Sequence, residues 1–301
     1  MQKHLIVICG PTGVGKTSVA INVANALKSV IISCDSRQIY REMKIGTSVP
    51  GKKELEQVPH FFIHTRSIDE YYNASMFEQE VNIFLEQYFE NSNTAIMEGG
   101  SGLYIDAVCK GIDELPAIDG KIREKWHNTY VNEGIDTLKE KLETIDPEYY
   151  NRVDKNNPKR LQKAIEVYEM TGEKYSSFLK NNNKYRPYNI LKIGINTDRQ
   201  KLYNQINERV DRMIEQGLIE EARSLYTKRH LSPLNTVGYK ELFDYFDNKL
   251  SLPKAIEKIK DHSRAYARRQ ITWFRRDNSI KWFEPDQLQT ILDYIKIQTG
   301  L

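Results

Sequence analysis

The clearest chemical signature in the sequence is a phosphate-binding loop of the pattern GxxxxGK(S/T). The loop comprises Gly10, Pro11, Thr12, Gly13, Val14, Gly15, Lys16 and Thr17. Its glycines let backbone N–H groups converge on an anion at the start of a helix. Lys16 adds a positive charge, and the Thr17 hydroxyl is suited to bind Mg²⁺. The sequence therefore predicts binding of a di- or triphosphate.

The segments around this loop predict a parallel α/β sheet. The apolar run 5–9 is typical of a strand buried on both faces, and 18–27 has helical spacing. Two more buried strands are predicted at 30–34 and 94–97, with a helical stretch at 76–89 between them. This alternation of strand and helix predicts the α/β fold class.

The character of the sequence changes near residue 116. Residues 119–183 are helical and charged in pattern, strand character returns at 190–195, and the remainder reads as helical. We predict a discontinuous α/β core formed by residues 1–115 and 190–301, interrupted by a helical insertion at 116–189.

The composition limits the class of protein. The chain has 301 residues, of which 40% are hydrophobic and 28% are charged, so it can bury a sizeable core. No apolar run approaches a membrane span, and the N-terminus lacks the pattern of a signal peptide. The three cysteines form no CxxC pair, which argues against a zinc ribbon and fits a reducing compartment. We expect a cytoplasmic protein with no membrane partner.

The loop by itself leaves the phosphate chemistry open. A GTPase would carry NKxD, which does not occur in the sequence, and a motor-type ATPase usually has a strand ending in Asp-Glu. Here the third strand runs into Glu98-Gly-Gly-Ser101, which favours a small-molecule kinase or a related group transferase. Asp35 follows the second strand, at the sheet edge where ligands bind, so it could serve as a general base or merely form a turn.

A second candidate region is the basic segment 257–277. It contains seven Lys or Arg residues against three acids. Such an excess is typical of either a solvated helix face or a surface that binds phosphates.

Several motifs together resemble the tRNA dimethylallyltransferase (isopentenyltransferase) family. The matching blocks, in order, are Asp35-Ser-Arg-Gln-Ile-Tyr40, Met43-Lys-Ile-Gly-Thr47, Gly99-Gly-Ser-Gly-Leu-Tyr104, Asn157-Pro-Lys-Arg-Leu161, Val237-Gly-Tyr239 and Arg268-Arg-Gln-Ile-Thr-Trp-Phe-Arg275. They span nearly the whole chain. The resemblance implies a P-loop nucleotide-kinase-like core with an inserted helical domain that contacts tRNA. Larger members carry a Cys/His zinc finger near the C-terminus, which is not found here, so we expect the bacterial type.

The resemblance also implies a reaction. Members transfer a dimethylallyl group from dimethylallyl pyrophosphate to N6 of adenosine 37 in the anticodon loop of tRNAs that read UNN codons. It makes Asp35 the base and Ser101 its support, with Lys16 and Arg209 on the donor phosphates and Mg²⁺ as cofactor. The implied contacts to the tRNA anticodon stem-loop are Asp35, Ser36, Arg37, Gln38, Ser101, Arg123, Lys159, Arg160, Leu161, Gln162, Lys163, Arg264, Arg268 and Arg269.

Some expectations stay open at the level of sequence. The residue before Gly99 is usually small or apolar in that family, whereas here it is Glu98. A P-loop nucleotide or metabolite kinase and a P-loop RNA-binding module without chemistry are the alternative functions. We expect a monomer.

Overall fold

The chain divides into two units in the computed structural model, which describes residues 2–180 and 184–300. The core unit contains the described residues up to Lys110 and from Tyr185 onwards, and the helical unit spans Gly111–Lys184. The division therefore falls a few residues before each bound of the predicted insertion, 116–189.

A six-stranded sheet forms the centre of the core unit. Its strands are β1 (His4–Cys9), β2 (Ile31–Ser33), β3 (His60–Phe61), β4 (Thr94–Gly99), β5 (Asn189–Ile195) and β6 (Lys281–Phe283). Their order in the sheet is β3-β2-β4-β1-β5-β6, and every neighbouring pair is parallel. Strand β1 is thus central, and the carboxyl ends of β1, β2 and β4 meet at one edge.

Fourteen α-helices lie in the described residues. Those of the core unit are α1 (Lys16–Leu27), α2 (Lys52–Leu55), α3 (Ala74–Tyr88), α4 (Gly102–Lys110), α10 (Arg199–Glu215), α11 (Leu218–Ser224), α12 (Tyr239–Phe246), α13 (Leu252–Phe274) and α14 (Leu288–Thr299). Those of the helical unit are α5 (Gly120–Glu133), α6 (Ile135–Ile145), α7 (Pro147–Arg152), α8 (Pro158–Thr171) and α9 (Tyr175–Phe178). None of these helices combines the length and the apolar character needed to cross a membrane.

Alternate residues of β1 pack into two separate hydrophobic clusters. Leu5 and Val7 belong to one cluster, while Ile6 and Ile8 belong to the other. Because successive side chains of a strand point to opposite faces, the unbroken apolar run of β1 supplies both layers of the core. This explains why the strand nearest the phosphate loop has no polar face.

The predicted parallel α/β sheet is confirmed, with two strands beyond those predicted. Strand β3 has two residues and β6 has three, which is too short for hydrophobic periodicity to reveal. The prediction that the chain is helical after residue 195 is wrong at β6. That strand pairs with β5, where Gly194 leaves room for the ring of Trp282.

The helical unit has a small core of its own. It is formed mainly by Trp126, Leu138, Leu142 and Leu161, all of them buried. Helix α8 begins with the Asn157 side chain accepting a hydrogen bond from a backbone N–H in its first turn. No strand occurs among the described residues of this unit, as predicted.

Candidate active site

The phosphate loop joins β1 to α1, in the context that its sequence predicts. Gly10, Gly13 and Gly15 all have positive φ, of 151°, 80° and 97°. A Cβ atom on Gly10 would lie 2.2 Å from the backbone oxygen of Ile195, so only glycine fits there. The turn therefore depends on its glycines for both conformation and space.

Lys16 occupies the centre of the loop. Its side chain is buried, and Nζ donates a hydrogen bond to the Pro11 oxygen at 2.9 Å. Burial lowers the pKa of Lys16, and the nearby charge of Glu98 opposes that shift. The ammonium is thus held inside the loop, where a phosphate would replace part of its missing solvation.

A cavity of about 250 Å³ opens beside the loop. It is lined by Thr12, Gly13, Gly15, Lys16, Thr17, Asp35, Gln38, Thr47, Ser48, Glu98, Gly99, Gly100, Arg209, Tyr266 and Gln270. Two cationic and two acidic side chains face this one space. Three of the predicted catalytic residues are therefore brought together, and Ser101 follows the glycine pair directly.

Asp35 stands at the end of β2 with one oxygen engaged. Its Oδ1 accepts hydrogen bonds from the backbone N–H groups of Arg37 at 2.8 Å and Gln38 at 3.3 Å. Within residues 2–180 and 184–300, the other oxygen of Asp35, Oδ2, accepts no hydrogen bond. The turn thus fixes the carboxylate and leaves one oxygen for a ligand in the cavity.

Ser101 is tied to the same turn. Its Oγ accepts a hydrogen bond from the Ser36 backbone N–H at 3.0 Å and lies 3.3 Å from the Ser36 hydroxyl. Tyr266 lines the cavity beside these turns, and burial raises the pKa of that tyrosine to about 12. The glycine-pair turn and the Asp35 turn are therefore held in register.

Glu98 is a buried acid in the lining of the cavity. It lies at the end of β4 and is only 7% exposed. Burial raises its pKa, while the charge of Lys16 and a side-chain hydrogen bond with Thr17 oppose the rise. A buried carboxylate thus faces the start of α1.

Arg209 reaches the cavity from α10. Its Nε donates to the Ser48 hydroxyl at 2.8 Å, and its guanidinium also donates to the Thr12 hydroxyl. Burial lowers its pKa, and the charge of Asp35 opposes this. Arg209 therefore bridges the phosphate loop and the loop that contains Ser48.

Gln270 is a residue that the sequence did not single out. Its Oε1 accepts a hydrogen bond from the Thr12 backbone N–H, and its Nε2 donates to the Gly100 oxygen, both at 2.8 Å. A Cβ on Gly100 would lie 2.2 Å from Nε2, so glycine is needed for this contact. The side chain connects the phosphate loop to the glycine-pair turn. It lies within the Arg268–Arg275 block, next to the arginines that were predicted to contact tRNA.

Glu221, a half-buried acid on α11, shapes the loop that carries Thr47 and Ser48. The carboxylate of Glu221 accepts hydrogen bonds from the backbone N–H groups of three successive residues, Lys44, Ile45 and Gly46. It also accepts one from the Tyr239 hydroxyl at 2.7 Å. These contacts give a structural reason for the matching blocks around Gly46 and Tyr239.

The predicted tRNA contacts fall into separate places. In the core unit, Arg264 donates to Asn207 and pairs with Asp261, while Arg268 donates to the Tyr203 hydroxyl. Ser36, Arg37 and Gln38 lie in the Asp35 turn, and Arg269 lies on the exposed side of α13.

In the helical unit, Lys159 and Arg160 are exposed at the start of α8, Lys163 and Gln162 are half-buried, and Arg123 lies on α5.

Two of these predictions need correction or restriction. The Leu161 side chain is fully buried in the core of the helical unit, so the prediction that it contacts tRNA is wrong for that side chain. Helical periodicity turns it inward while Arg160 points outward. The Gln38 amide is used internally, since it donates to the backbone oxygens of Thr47 and Ser48.

The donor atoms of the cavity fit a magnesium ion. Mg²⁺ prefers oxygen ligands and is usually bound by one or two carboxylates together with substrate phosphates. Thr17, Asp35 and Glu98 place a hydroxyl and two carboxylates in the lining. Across the described residues there is no group of three or more His, Cys, Asp or Glu residues that would hold a metal alone. The arrangement suits an ion that is bound together with a phosphorylated ligand.

Comparison with known proteins identifies the family. A family model described as IPP transferase matches residues 38–277, which is most of the chain. The chain belongs to the IPP transferase family. A curated member, tRNA dimethylallyltransferase 1 of Bacteroides fragilis, is 50% identical over 294 residues, covering 98% of each chain. The family assignment confirms the resemblance seen in the sequence.

Solved structures of the family have the same fold. The tRNA isopentenylpyrophosphate transferase of Bacillus halodurans superposes with a TM-score of 0.72 at 33% identity, covering 99% of this chain and 97% of that one. A eukaryotic dimethylallyltransferase acting on tRNA gives a TM-score of 0.77 at 24% identity, covering 99% and 79%. The likeness confirms the predicted P-loop α/β fold class.

Proposed function

We propose that this protein transfers the dimethylallyl group of dimethylallyl pyrophosphate to N6 of adenosine 37 in tRNAs that read UNN codons. The observation that carries the proposal is the single cavity in which a phosphate loop and the free oxygen of Asp35 face each other. The membership of the IPP transferase family supports the same reaction. A kinase has no comparable support, since no observation favours a phosphoryl acceptor.

The phosphate loop and its partners are suited to bind the donor. Backbone N–H groups at the start of α1, together with Lys16 and Arg209, supply positive potential where a diphosphate would lie. As the allylic C–O bond breaks, its electron pair goes to the departing pyrophosphate. Preorganised donors at such an oxygen each contribute about 3–4 kcal/mol to the transition state.

Asp35 is suited to act on the acceptor. The lone pair of the adenine N6 is delocalised into the ring, so the nitrogen attacks well only as its proton is removed. In the proposed step the N6–C bond forms, the C–O bond breaks, and the N6 proton goes to Asp35 Oδ2. Ser101 holds the turn of Asp35 in place. A base of this kind contributes about 10²–10⁴-fold in rate.

Mg²⁺ would be held by the Thr17 hydroxyl and by the phosphates of the donor. When bound, it supplies positive charge that neutralises the diphosphate and the pyrophosphate formed from it. The phosphate loop and Asp35 of one chain already face the same cavity, so the proposed reaction needs no second subunit, and we propose that the protein acts as a monomer.

The acceptor is proposed to be the anticodon stem-loop of tRNA. Lys159 and Arg160 are exposed on the helical unit, and Arg268 and Arg269 are exposed on the core unit. Arginines and lysines of this kind contact the phosphates, which position a nucleic acid without reading its sequence. The target base must leave the loop stack to reach a cavity, which is easiest for an unpaired nucleotide.

The reaction can be tested directly. Purified protein is incubated with Mg²⁺, dimethylallyl pyrophosphate and unmodified tRNA, and the digested nucleosides are analysed by mass. We expect N6-dimethylallyladenosine, located at position 37 by mapping of nuclease fragments. Absence of the product, together with phosphoryl transfer from ATP to a small acceptor, would overturn the proposal in favour of a kinase.

The role of Asp35 is tested by Asp35→Asn. The amide keeps the size of the side chain but cannot take a proton, so we expect kcat to fall by about 10²–10⁴-fold while tRNA binding is kept. Asp286→Asn, at an exposed position, serves as the control for loss of one carboxylate. Transfer at the rate of the unchanged protein by the Asp35 variant would remove this residue as the base.

A further inference from the structure

Glu98 holds a position that has a known use in phosphate-loop proteins. Strand β4 is the direct neighbour of β1, and Glu98 is in register with Ile8, two residues before the phosphate loop begins. Thr17 and Glu98 line the same cavity beside the phosphate loop. In P-loop NTPases, Mg²⁺ is held by the loop Ser or Thr and by a carboxylate that follows a neighbouring strand. The geometry of Glu98 and Thr17 is of this type.

The burial of Glu98 calls for a reason. A carboxylate that is removed from water destabilises the fold unless a partner compensates it. Lys16 is the cation that most favours the charged form of Glu98, yet its Nζ donates to the Pro11 oxygen, and in the described part of the chain it forms no salt bridge with Glu98. The compensation of Glu98 by protein groups is therefore incomplete.

The balance of charges in the cavity lining also indicates that a cation is needed. Lys16 and Arg209 are balanced by Asp35 and Glu98, which leaves the lining without net positive charge. A diphosphate ester carries several negative charges, so binding it in this cavity requires an additional cation. A divalent ion between Glu98 and the phosphates would satisfy both the ligand and the buried carboxylate.

We propose that Glu98, together with the Thr17 hydroxyl, forms the protein side of a divalent-cation site that binds metal and pyrophosphate as a unit. The proposal rests on the proposed function only in its choice of a diphosphate ligand. Glu98 acts here as a positioning residue, which holds the ion directly or through a bound water.

A competing role for Glu98 leads to opposite results. If it served only as a counter-ion for Lys16, its removal would strengthen the binding of free pyrophosphate and leave the affinity for metal unchanged. If it belongs to a cation site, its removal weakens metal binding, and pyrophosphate binding no longer improves when metal is added.

The test measures metal binding rather than turnover. Mn²⁺ is titrated into the full-length protein with saturating inorganic pyrophosphate, and free Mn²⁺ is followed by electron paramagnetic resonance. Binding of Mn²⁺ to free pyrophosphate is measured in a protein-free titration and subtracted. For Glu98→Gln we expect Mn²⁺ to bind about 10–100-fold more weakly, the usual effect of losing a group that orients a metal site.

A matched control removes a different buried carboxylate. Glu241 is 4% exposed and does not line the cavity, so Glu241→Gln removes the same charge elsewhere in the core unit. Its Mn²⁺ affinity should equal that of the unchanged protein. Thermal midpoints without metal show whether each variant is folded. If Glu98→Gln fails to fold, Thr17→Val tests the other half of the site with the same expected loss.

The outcomes separate this inference from the proposed reaction. Unchanged Mn²⁺ affinity in a folded Glu98→Gln variant overturns the cation site, even if the unchanged protein transfers the dimethylallyl group. A Glu98-dependent Mn²⁺ site in a protein that modifies no tRNA supports the cation site and overturns the proposed reaction.

Discussion

Replacing Gln270 by alanine should disturb both the stability of the core unit and the phosphate loop. The side chain accepts from the Thr12 N–H and donates to the Gly100 oxygen, each at 2.8 Å. Gln270 is 6% exposed. Alanine removes both contacts at once and leaves two backbone groups without their partners.

The expected loss follows from the two hydrogen bonds and their surroundings. Each bond contributes about 0.5–1.5 kcal/mol net, and a buried group left without a partner adds about 1–3 kcal/mol. The hydrogen bond to the Thr12 N–H is only partly buried, so water can replace the amide there, whereas the hydrogen bond to the Gly100 oxygen is buried. We therefore expect the free energy of unfolding to fall by about 2–4 kcal/mol.

Urea denaturation in a Trp126→Phe background measures this loss. That substitution leaves Trp273 and Trp282 as fluorophores, both in the core unit, so the signal does not report the helical unit. Gln289→Ala is the control, because Gln289 is an exposed glutamine whose side chain donates to the exposed Asp293 side chain. It should change the free energy by less than about 0.5 kcal/mol.

Binding of inorganic pyrophosphate provides a second measurement for the same variant. Because the Thr12 end of the phosphate loop loses its anchor, we expect the pyrophosphate Kd to rise in Gln270→Ala but not in Gln289→Ala. A Gln270→Ala protein as stable as its control, with unchanged pyrophosphate affinity, would refute the view that this side chain holds the loop.

Two further substitutions test the framework around the site. Asp277→Ala leaves Lys192 buried without the carboxylate 2.6 Å away, so unfolding should become about 3 kcal/mol easier. Burial by itself would raise the pKa of Asp277, but its contacts with Lys192 and Ser279 outweigh this and lower the pKa. The stability that the charged Asp277 contributes is therefore fully present above the ordinary pKa near 4 and is lost as the pH falls below that value. The variant should lack this part of the pH dependence of urea unfolding. In Gly46→Ala the new Cβ would lie 2.5 Å from the Tyr239 ring, so the thermal midpoint should drop clearly below that of Gly51→Ala. Equal midpoints for the two glycine variants would show that the loop yields without strain.

Local pattern was sufficient to predict the phosphate loop and the strands that flank it. The loop needs glycines at set positions and a lysine before a hydroxyl, and all of these lie within eight consecutive residues. The run 5–9 is buried on both faces, so its apolar character is continuous and visible. The short strands β3 and β6 were missed because two or three residues carry no period.

The contacts between distant segments could not be predicted in this way. Gln270 meets Thr12 across 258 positions of sequence, and Arg209 meets the same residue across 197. For Leu161 the sequence predicted a contact that its buried side chain does not make, because a motif match cannot tell a contacting side chain from its buried neighbour.

The sequence by itself determined the phosphate-loop motif and the parallel α/β sheet that carries it, since both follow from residues close together in the chain. Only the tertiary structure decided which side chains share the cavity beside that loop. Glu98, Tyr266 and Gln270 reach the cavity because parallel strands end at one edge and α13 packs beside it. The physical reason is that a glutamate, a tyrosine or a glutamine has no fixed role until burial and neighbouring charges assign one.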